Sequence, residues 1–172
     1  MRKQLGWAMP FLFVAGMAAA MAQTCNESIP ASAPDGRFSD NGDGTVTDSA
    51  TGLTWQQCAE GLSGAGCATG SAASLTWGQA LQRGMDAEFA GFSDWRVPNK
   101  NELASLVEER CYNPAINTST FPNTPSNWFW PSSPYAYYPS NAWGVNFGYG
   151  YGYVGYDGNH HAYHVRLVRG GQ

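Results

Sequence analysis

Charge is scarce: Asp, Glu, Lys and Arg make up only 13% of the 172 residues, and no basic run occurs. Gripping a phosphate backbone needs clustered Lys and Arg, so nucleic acid is not an expected partner. No Cys-x-x-Cys pair is present, which removes the commonest thiolate metal sites. There is no internal repeat, so a surface-array role lacks its usual sequence basis. What the chain has instead is aromatic residues, 14% of the total, and 21 Gly. That balance is too apolar for a disordered chain, and the length suits one domain with its own core. The aromatics are unevenly placed. Eight of the nine Tyr and all three His lie between Pro131 and His164, a window of 34 residues whose single charged residue is Asp157.

The N-terminus reads as a targeting segment. Arg2 and Lys3 are followed by an apolar run from Leu5 to Ala22 that ends Ala20-Met21-Ala22, the small-x-small pattern of a signal-peptidase site. Residues 1–22 are therefore expected to be a signal peptide. Gly6, Pro10 and Gly16 argue against a retained membrane anchor, so no stable membrane insertion is expected after cleavage. Cys25 lacks the Leu-small-small signature that precedes a lipidated cysteine. Loss of Arg2 and Lys3 leaves 7 basic and 13 acidic residues, a net charge of −6. Export to the periplasm, cell surface or medium places Cys25, Cys58, Cys67 and Cys111 in an oxidising setting, where an even set implies disulfides. Cys58 and Cys67 flank a Gly/Ser-rich stretch and are expected to close a local loop, leaving Cys25 for Cys111.

Residues 23–36 read as an irregular lead-in and 37–172 as the domain. Arg37-Phe38 and Thr45-Val46-Thr47 flank Asp40-Asn41-Gly42-Asp43-Gly44, whose Asn-Gly and Asp-Gly pairs predict a β-hairpin. The oxygens of Asp40, Asn41, Asp43 and Asp48 resemble part of an EF-hand, but the bidentate Glu and flanking helices are missing, so turn chemistry is preferred to calcium. Thr51–Gln56 predicts the next strand. Thr76 caps a helix with Trp77, Ala80, Leu81, Met85 and Phe89 at helical spacing, ending near Gly91. Asn99 and Glu102 have capping-box spacing at the start of a second helix, which buries Leu103, Leu106 and Val107 and stops before Cys111. Tyr112 to Pro139 reads mostly as loop, Ala142–Phe147 as a half-buried strand and Val165–Arg169 as the closing strand. Trp55, Trp77, Trp95 and Trp143 are expected core anchors, and Asp94 with Arg96 a buried polar pair. The sum is an α+β domain with two helices, short antiparallel strands and long loops.

Three segments carry a family resemblance together. They are Asn41–Asp48 with Thr51-Gly52-Leu53-Thr54-Trp55, Gly91–Asn99 with Glu102-Leu103, and Val165-Arg166-Leu167-Val168-Arg169-Gly170-Gly171. The set resembles the family named for the C-terminal domain of a bacterial collagen-like adhesin, the Lcl C-terminal domain, over roughly residues 37–172. The resemblance implies a C-type-lectin-like fold of the kind shared with formylglycine-generating enzymes. It also implies ligand binding rather than catalysis, with no cofactor. The founding adhesin has a collagen-like stalk and binds glycosaminoglycans; this sequence has no Gly-x-y repeat, so stalk and trimerisation do not carry over. Enzymes of the formylglycine-generating type use a cysteine pair in the ligand cleft, and no cysteine follows Cys111 here.

Of the 34 residues from Pro131 to His164, 24 are Tyr, Gly, Asn, Ser, Asp or His. Tyr supplies rigid amphipathic contact area, and Ser, Gly and Asn supply adaptable hydrogen bonds, the mixture of antibody binding loops. Asn codons ending in pyrimidine, altered at their adenines, become Tyr, His, Asp, Ser or Gly and never Lys, Glu, Gln, Met or Trp. Apart from Trp143 the window obeys this. Its placement resembles the variable proteins of diversity-generating retroelements, in which a reverse transcriptase copies a template repeat with adenine errors; an ordinary low-complexity Tyr/Gly region is the alternative. With Trp143, Val145 and Phe147 facing inward, Gly144 and Asn146 should face out. The expected ligand contacts are Tyr135, Tyr137, Tyr138, Asn141, Asn146, Tyr149, Tyr151, Tyr153, Tyr156, Asp157, Asn159, His160, His161, Tyr163 and His164. A protein or glycan ligand is expected. Metal binding through His160, His161 and His164 is disfavoured, because their Gly/Tyr setting is not helical.

Overall fold

The computed structural model describes residues 22–138, 140–157 and 160–170, with the backbone alone for 151–157. Residues 1–21 of the expected signal peptide and Asn159 thus lie outside the described residues. In chain order the elements are β1 (Thr24–Cys25), β2 (Phe38–Asp40), β3 (Thr45–Asp48), β4 (Leu53–Gln56), β5 (Leu62–Ser63) and β6 (Thr69–Gly70). They continue with α1 (Trp77–Met85), α2 (Lys100–Ala104), β7 (Cys111–Tyr112), β8 (Trp128–Phe129), β9 (Asn141–Asn146), β10 (Tyr151–Asp157) and β11 (Val168–Arg169). The fold is mixed α and β with antiparallel pairing throughout the named strands. Strand order is β11-β4-β3-β2 in one sheet and β10-β9-β8 in another; β1 pairs with β7 and β5 with β6.

The first hairpin forms where its turn residues place it, with Asp40 opposite Val46. Gly42 and Gly44 hold φ of 78° and 84°, which a side chain would strain. Both helices open on complete capping boxes, Thr76 with Gln79 and Asn99 with Glu102. Their lengths differ from expectation. The first ends at Met85, not near Gly91, because residues 89–92 form a hairpin turn of their own. Phe89 and Phe92 exchange two backbone hydrogen bonds of 3.0 Å, and Ala90 and Gly91 both have positive φ, the geometry of a two-residue hairpin loop. Met85 and Phe89 are consequently exposed, and α1 buries Ala80 and Gly84 instead. Gly84 is required there: a Cβ would lie 2.9 Å from the Val97 amide. The second helix stops at Ala104, although Leu106 and Val107 remain buried in the turns beyond it.

Two hydrophobic clusters form the interior. One gathers Val46, Leu53, Trp55, Leu103, Leu106, Ile116, Phe121, Phe129, Val145 and Phe147. The other gathers Ala80, Trp95, Val97, Trp130, Ala142, Val165 and Leu167. Strand β9 lies between them, because alternate residues leave on opposite faces. Trp55 and Trp95 are core anchors as expected, but Trp77 and Trp143 are only half-buried, and the fully buried Trp130 was not anticipated. Trp77 and Trp130 cross-link the clusters to the chain around them, donating Nε1–H to Pro131 O at 2.9 Å and Leu75 O at 2.8 Å.

The expected Asp94–Arg96 pair does not form. Arg96 instead makes two 2.8 Å bonds to the Glu102 carboxylate, because the Pro98–Asn99 corner folds α2 back over it. Asp94 pairs with Arg169 at 2.8 Å on the surface. Two disulfides close the chain, Cys25–Cys111 and Cys58–Cys67. The closing segment is a named strand only at Val168–Arg169. Upstream of it, Val165 and Leu167 accept backbone bonds from Glu60 and Gln56.

Candidate functional site

The Tyr-rich window divides into pieces with different jobs. Its first part, residues 131–138, is a loop pinned at several points. Ser132 N–H donates to Pro98 O, Tyr135 N–H to Asn141 O and Trp143 N–H to Ser133 O. The Ser133 hydroxyl accepts from the Lys100 amide at 2.9 Å. On this fixed loop the rings form a cluster. Tyr135 meets Trp143 edge-on at 5.7 Å, and Tyr137 meets Tyr138 edge-on at 4.7 Å. Lys100 places its ammonium 4.0 Å over the Trp143 ring, a cation–π contact that caps the inner edge. The outer rings are free to touch a ligand: Tyr137 is 74% exposed and Tyr138 56%.

Strand β9 carries the middle part. Asn146 was expected to face out and is buried. Its Oδ1 accepts from Gly148 N–H at 2.7 Å and Tyr149 N–H at 3.3 Å, so the side chain closes the β9–β10 turn. Gly144 is also buried, and a Cβ there would sit 3.0 Å from the Trp128 ring. Period-2 alternation fails to predict exposure here because the Trp128 and Tyr163 rings cover the second face at Gly144. Asn141 is half-buried. At the turn, Tyr149 stands 67% exposed.

The last part is mixed. His160 and His161 are exposed. Tyr163 is half-buried, with its ring against Trp130 at 4.2 Å and stacked on Trp128 at 5.8 Å, and its backbone is paired with Leu75. His164 is half-buried, with Nδ1 2.8 Å from Ala73 O. Tyr151, Tyr153, Tyr156 and Asp157 lie on β10, and their side chains fall outside the described residues.

The other chemical groups are engaged in structure. Asp40 accepts from Gly42 N–H, and Asp43 from Thr45 N–H and its hydroxyl. Asp48 turns away from this loop to Arg37, at 2.7 and 2.5 Å. Among the described residues no group of three or more His, Cys, Asp or Glu is placed to hold a metal. No helix among them is long and apolar enough to cross a membrane.

Sequence reasoning missed Arg166. It is fully buried with no ion-pair partner among the described residues, and burial pushes its guanidinium down to about 9. Nη1 donates to Gln56 O at 2.9 Å and to Gln57 O; Nη2 donates to Thr124 Oγ1 at 2.7 Å. The Phe121 ring lies 4.7 Å away. Its place between Val165 and Leu167 is the only available signal, an arginine where a strand should be apolar. These bonds tie the chain before the window to the chain after it, so Arg166 serves the scaffold rather than a ligand.

A family model, the Lcl C-terminal domain, matches residues 44–169. No curated protein and no solved structure matches the chain.

Proposed function

The chain belongs to the Lcl C-terminal domain family, and from that premise we propose that it is an exported binding protein. Its Tyr/Asn/Gly/Ser/His-rich surface recognises a protein or glycan ligand. The observation that carries this reading is the cluster of Tyr137 and Tyr138, largely exposed on a loop that is bonded to β9 and to the start of α2. Exposed rings on a fixed loop offer contact area at low entropic cost. Tyr149 extends the surface to the far end of β9, roughly 17–20 Å along the strand. A span of that size suits a macromolecular partner better than a small ligand.

The fold we infer is C-type-lectin-like, which sets a variable loop-and-strand region on an invariant scaffold. The window is diversified by adenine-directed retrotransposition, and its Asn-derivable composition supports this. Binding, not catalysis, is the activity: all four cysteines are in disulfides, so no thiol nucleophile is available. The disulfides also support export to the periplasm, cell surface or medium.

The test joins Tyr137→Ala, Tyr138→Ala and Tyr149→Ala in one variant. Against ligands selected from a glycan array and a cell-surface protein library, the triple variant should lose binding. Its melting temperature should move by no more than about 2 °C. A large fall in melting temperature would mark the rings as core and remove the proposal. Diversification is tested in the genome: pyrimidine-ending codons across 131–164, a near-identical template repeat and an adjacent reverse-transcriptase gene are expected together.

A further inference from the structure

Away from the tyrosine surface, and sharing no residue with it, lies a concavity. It has a volume of about 770 Å³ and lies between the β2–β3 turn, the segment closed by the Cys58–Cys67 disulfide, and the C-terminal end of α1. Its size is that of a small-molecule or side-chain site. We propose that this cleft binds a ligand bearing a cationic amine or guanidinium on an aliphatic stem, either a free polyamine or a Lys or Arg side chain of a peptide.

Three observations point there. The first is charge. Five carboxylates line the cleft, with Arg83 as the one cation. Arg83 is already held by Glu60 at 2.6 Å. Asp40, Asp43, Asp86 and Glu88 form no ion pair among the described residues. Asp40 and Asp43 accept only neutral donors of their own turn, and Asp86 accepts from the Gln82 amide. Negative potential in a walled cleft concentrates cations.

The second is an amide with no protein partner that faces the cleft. Gln56 lines the cleft and is only 8% exposed. Its neighbour Trp55 points into the core, so the Gln56 side chain leaves β4 on the opposite face. The backbone N–H and C=O of Gln56 are bonded to Leu167 and Arg166. Its side-chain amide has no partner among the described residues. The amide is open to the cleft rather than sealed in the core, so a ligand ammonium would meet its oxygen.

The third is an apolar wall for the stem. Phe89 lies against Gly44, where a Cβ would be 3.0 Å from the ring, and Ala59 and Leu62 continue the surface. A polar end beside an apolar wall is the pattern that holds an aliphatic amine.

Titration calorimetry of the mature protein tests this, with spermidine and a blocked Gly-Lys-Gly peptide as probes and the same peptide acetylated on lysine as control. One or both cations should bind, and the acetylated peptide should not; which cation binds identifies the source of the amine. Asp86→Asn with Glu88→Gln, both exposed, should weaken binding by roughly tenfold or more, and so should Gln56→Leu. Tyr137→Ala with Tyr138→Ala should leave it unchanged. Absence of heat with both cations up to about 10 mM would overturn the proposal. So would an affinity that the Asp86/Glu88 variant leaves intact, even if Gln56→Leu proves unstable.

Discussion

At the residue scale, charges inside the domain are placed by their partners rather than by their neighbours in sequence. Arg166 is enclosed with no counter-ion among the described residues, and three oxygen acceptors stand in for one. Asp48 is equally enclosed but has a full partner in Arg37, with Thr51 and the Ala50 amide adding hydrogen bonds. Burial pushes the Asp48 carboxyl up; the Arg37 and Thr51 hydrogen bonds then bring it below its ordinary range. Glu102 is lowered as well, first by its bonds from Arg96. For a carboxyl whose folded pKa is depressed, the stabilisation is complete above the unfolded value, about 4. It is lost as pH falls through the folded value. Asp48→Asn should therefore cost about 3 kcal/mol near pH 7, since it leaves Arg37 half-paired. That difference, read from urea denaturation, should shrink as pH is lowered below about 4. An equal penalty at every pH would refute the electrostatic account. None of these pairings was legible in the sequence. Asp94 and Arg96 are two residues apart and looked like partners, yet a pairing depends on where the chain turns, and the corner at Pro98 decides it.

At the scale of elements, legibility followed local chemistry. The β2–β3 hairpin and both helix starts were readable because turn glycines and capping boxes act within four residues. The end of α1 was not. Phe89 continued the apolar spacing of the helix, but the Ala90-Gly91 turn takes it into a separate hairpin. The exposure of β9 was not legible for a related reason. Alternation places Gly144 and Asn146 on one face correctly, but whether that face is open depends on Trp128 and Tyr163, which arrive from other elements. Of the candidate site, the exposed Tyr137, Tyr138 and Tyr149 were legible as composition, whereas the inward roles of Asn146, Tyr163 and His164 depend on tertiary neighbours. Asn99 gives a clean test of a local signal. Its side chain accepts from Asn101 N–H and Glu102 N–H, both at 2.9 Å. α2 has only five residues, so little else fixes its first turn. Asn99→Ala should cost about 1–2 kcal/mol and Asn99→Ser much less, as measured by thermal unfolding. Because Lys100 and Ser133 join this turn to the tyrosine loop, the alanine variant should also increase amide hydrogen exchange at Ser132, Ser133 and Tyr135.

At the scale of the molecule, the two disulfides divide the task of holding a domain whose named strands are mostly short. Cys58–Cys67 spans 9 residues and braces the wall of the acidic cleft, while Cys25–Cys111 spans 86 and ties the first strand to the middle of the chain. A cross-link limits the unfolded chain more when it closes a longer loop: about 4–5 kcal/mol for the long bridge and about 2.5–3 for the short one in the chain-entropy model. Neither bridge touches the tyrosine loop. The two functions proposed for the molecule should therefore separate on selective removal. The Cys25→Ser/Cys111→Ser double variant should show the larger loss of denaturation free energy. Cys58→Ser/Cys67→Ser should lose less, yet it should weaken cation binding at the cleft, because the bridge fixes the segment carrying Ala59, Glu60 and Leu62 beside Phe89. Ligand binding at Tyr137 and Tyr138 should survive in both variants under conditions where the domain stays folded. If removing the short bridge abolished recognition at the tyrosine surface and left the cleft untouched, the assignment of the two sites to separate parts of the scaffold would be wrong.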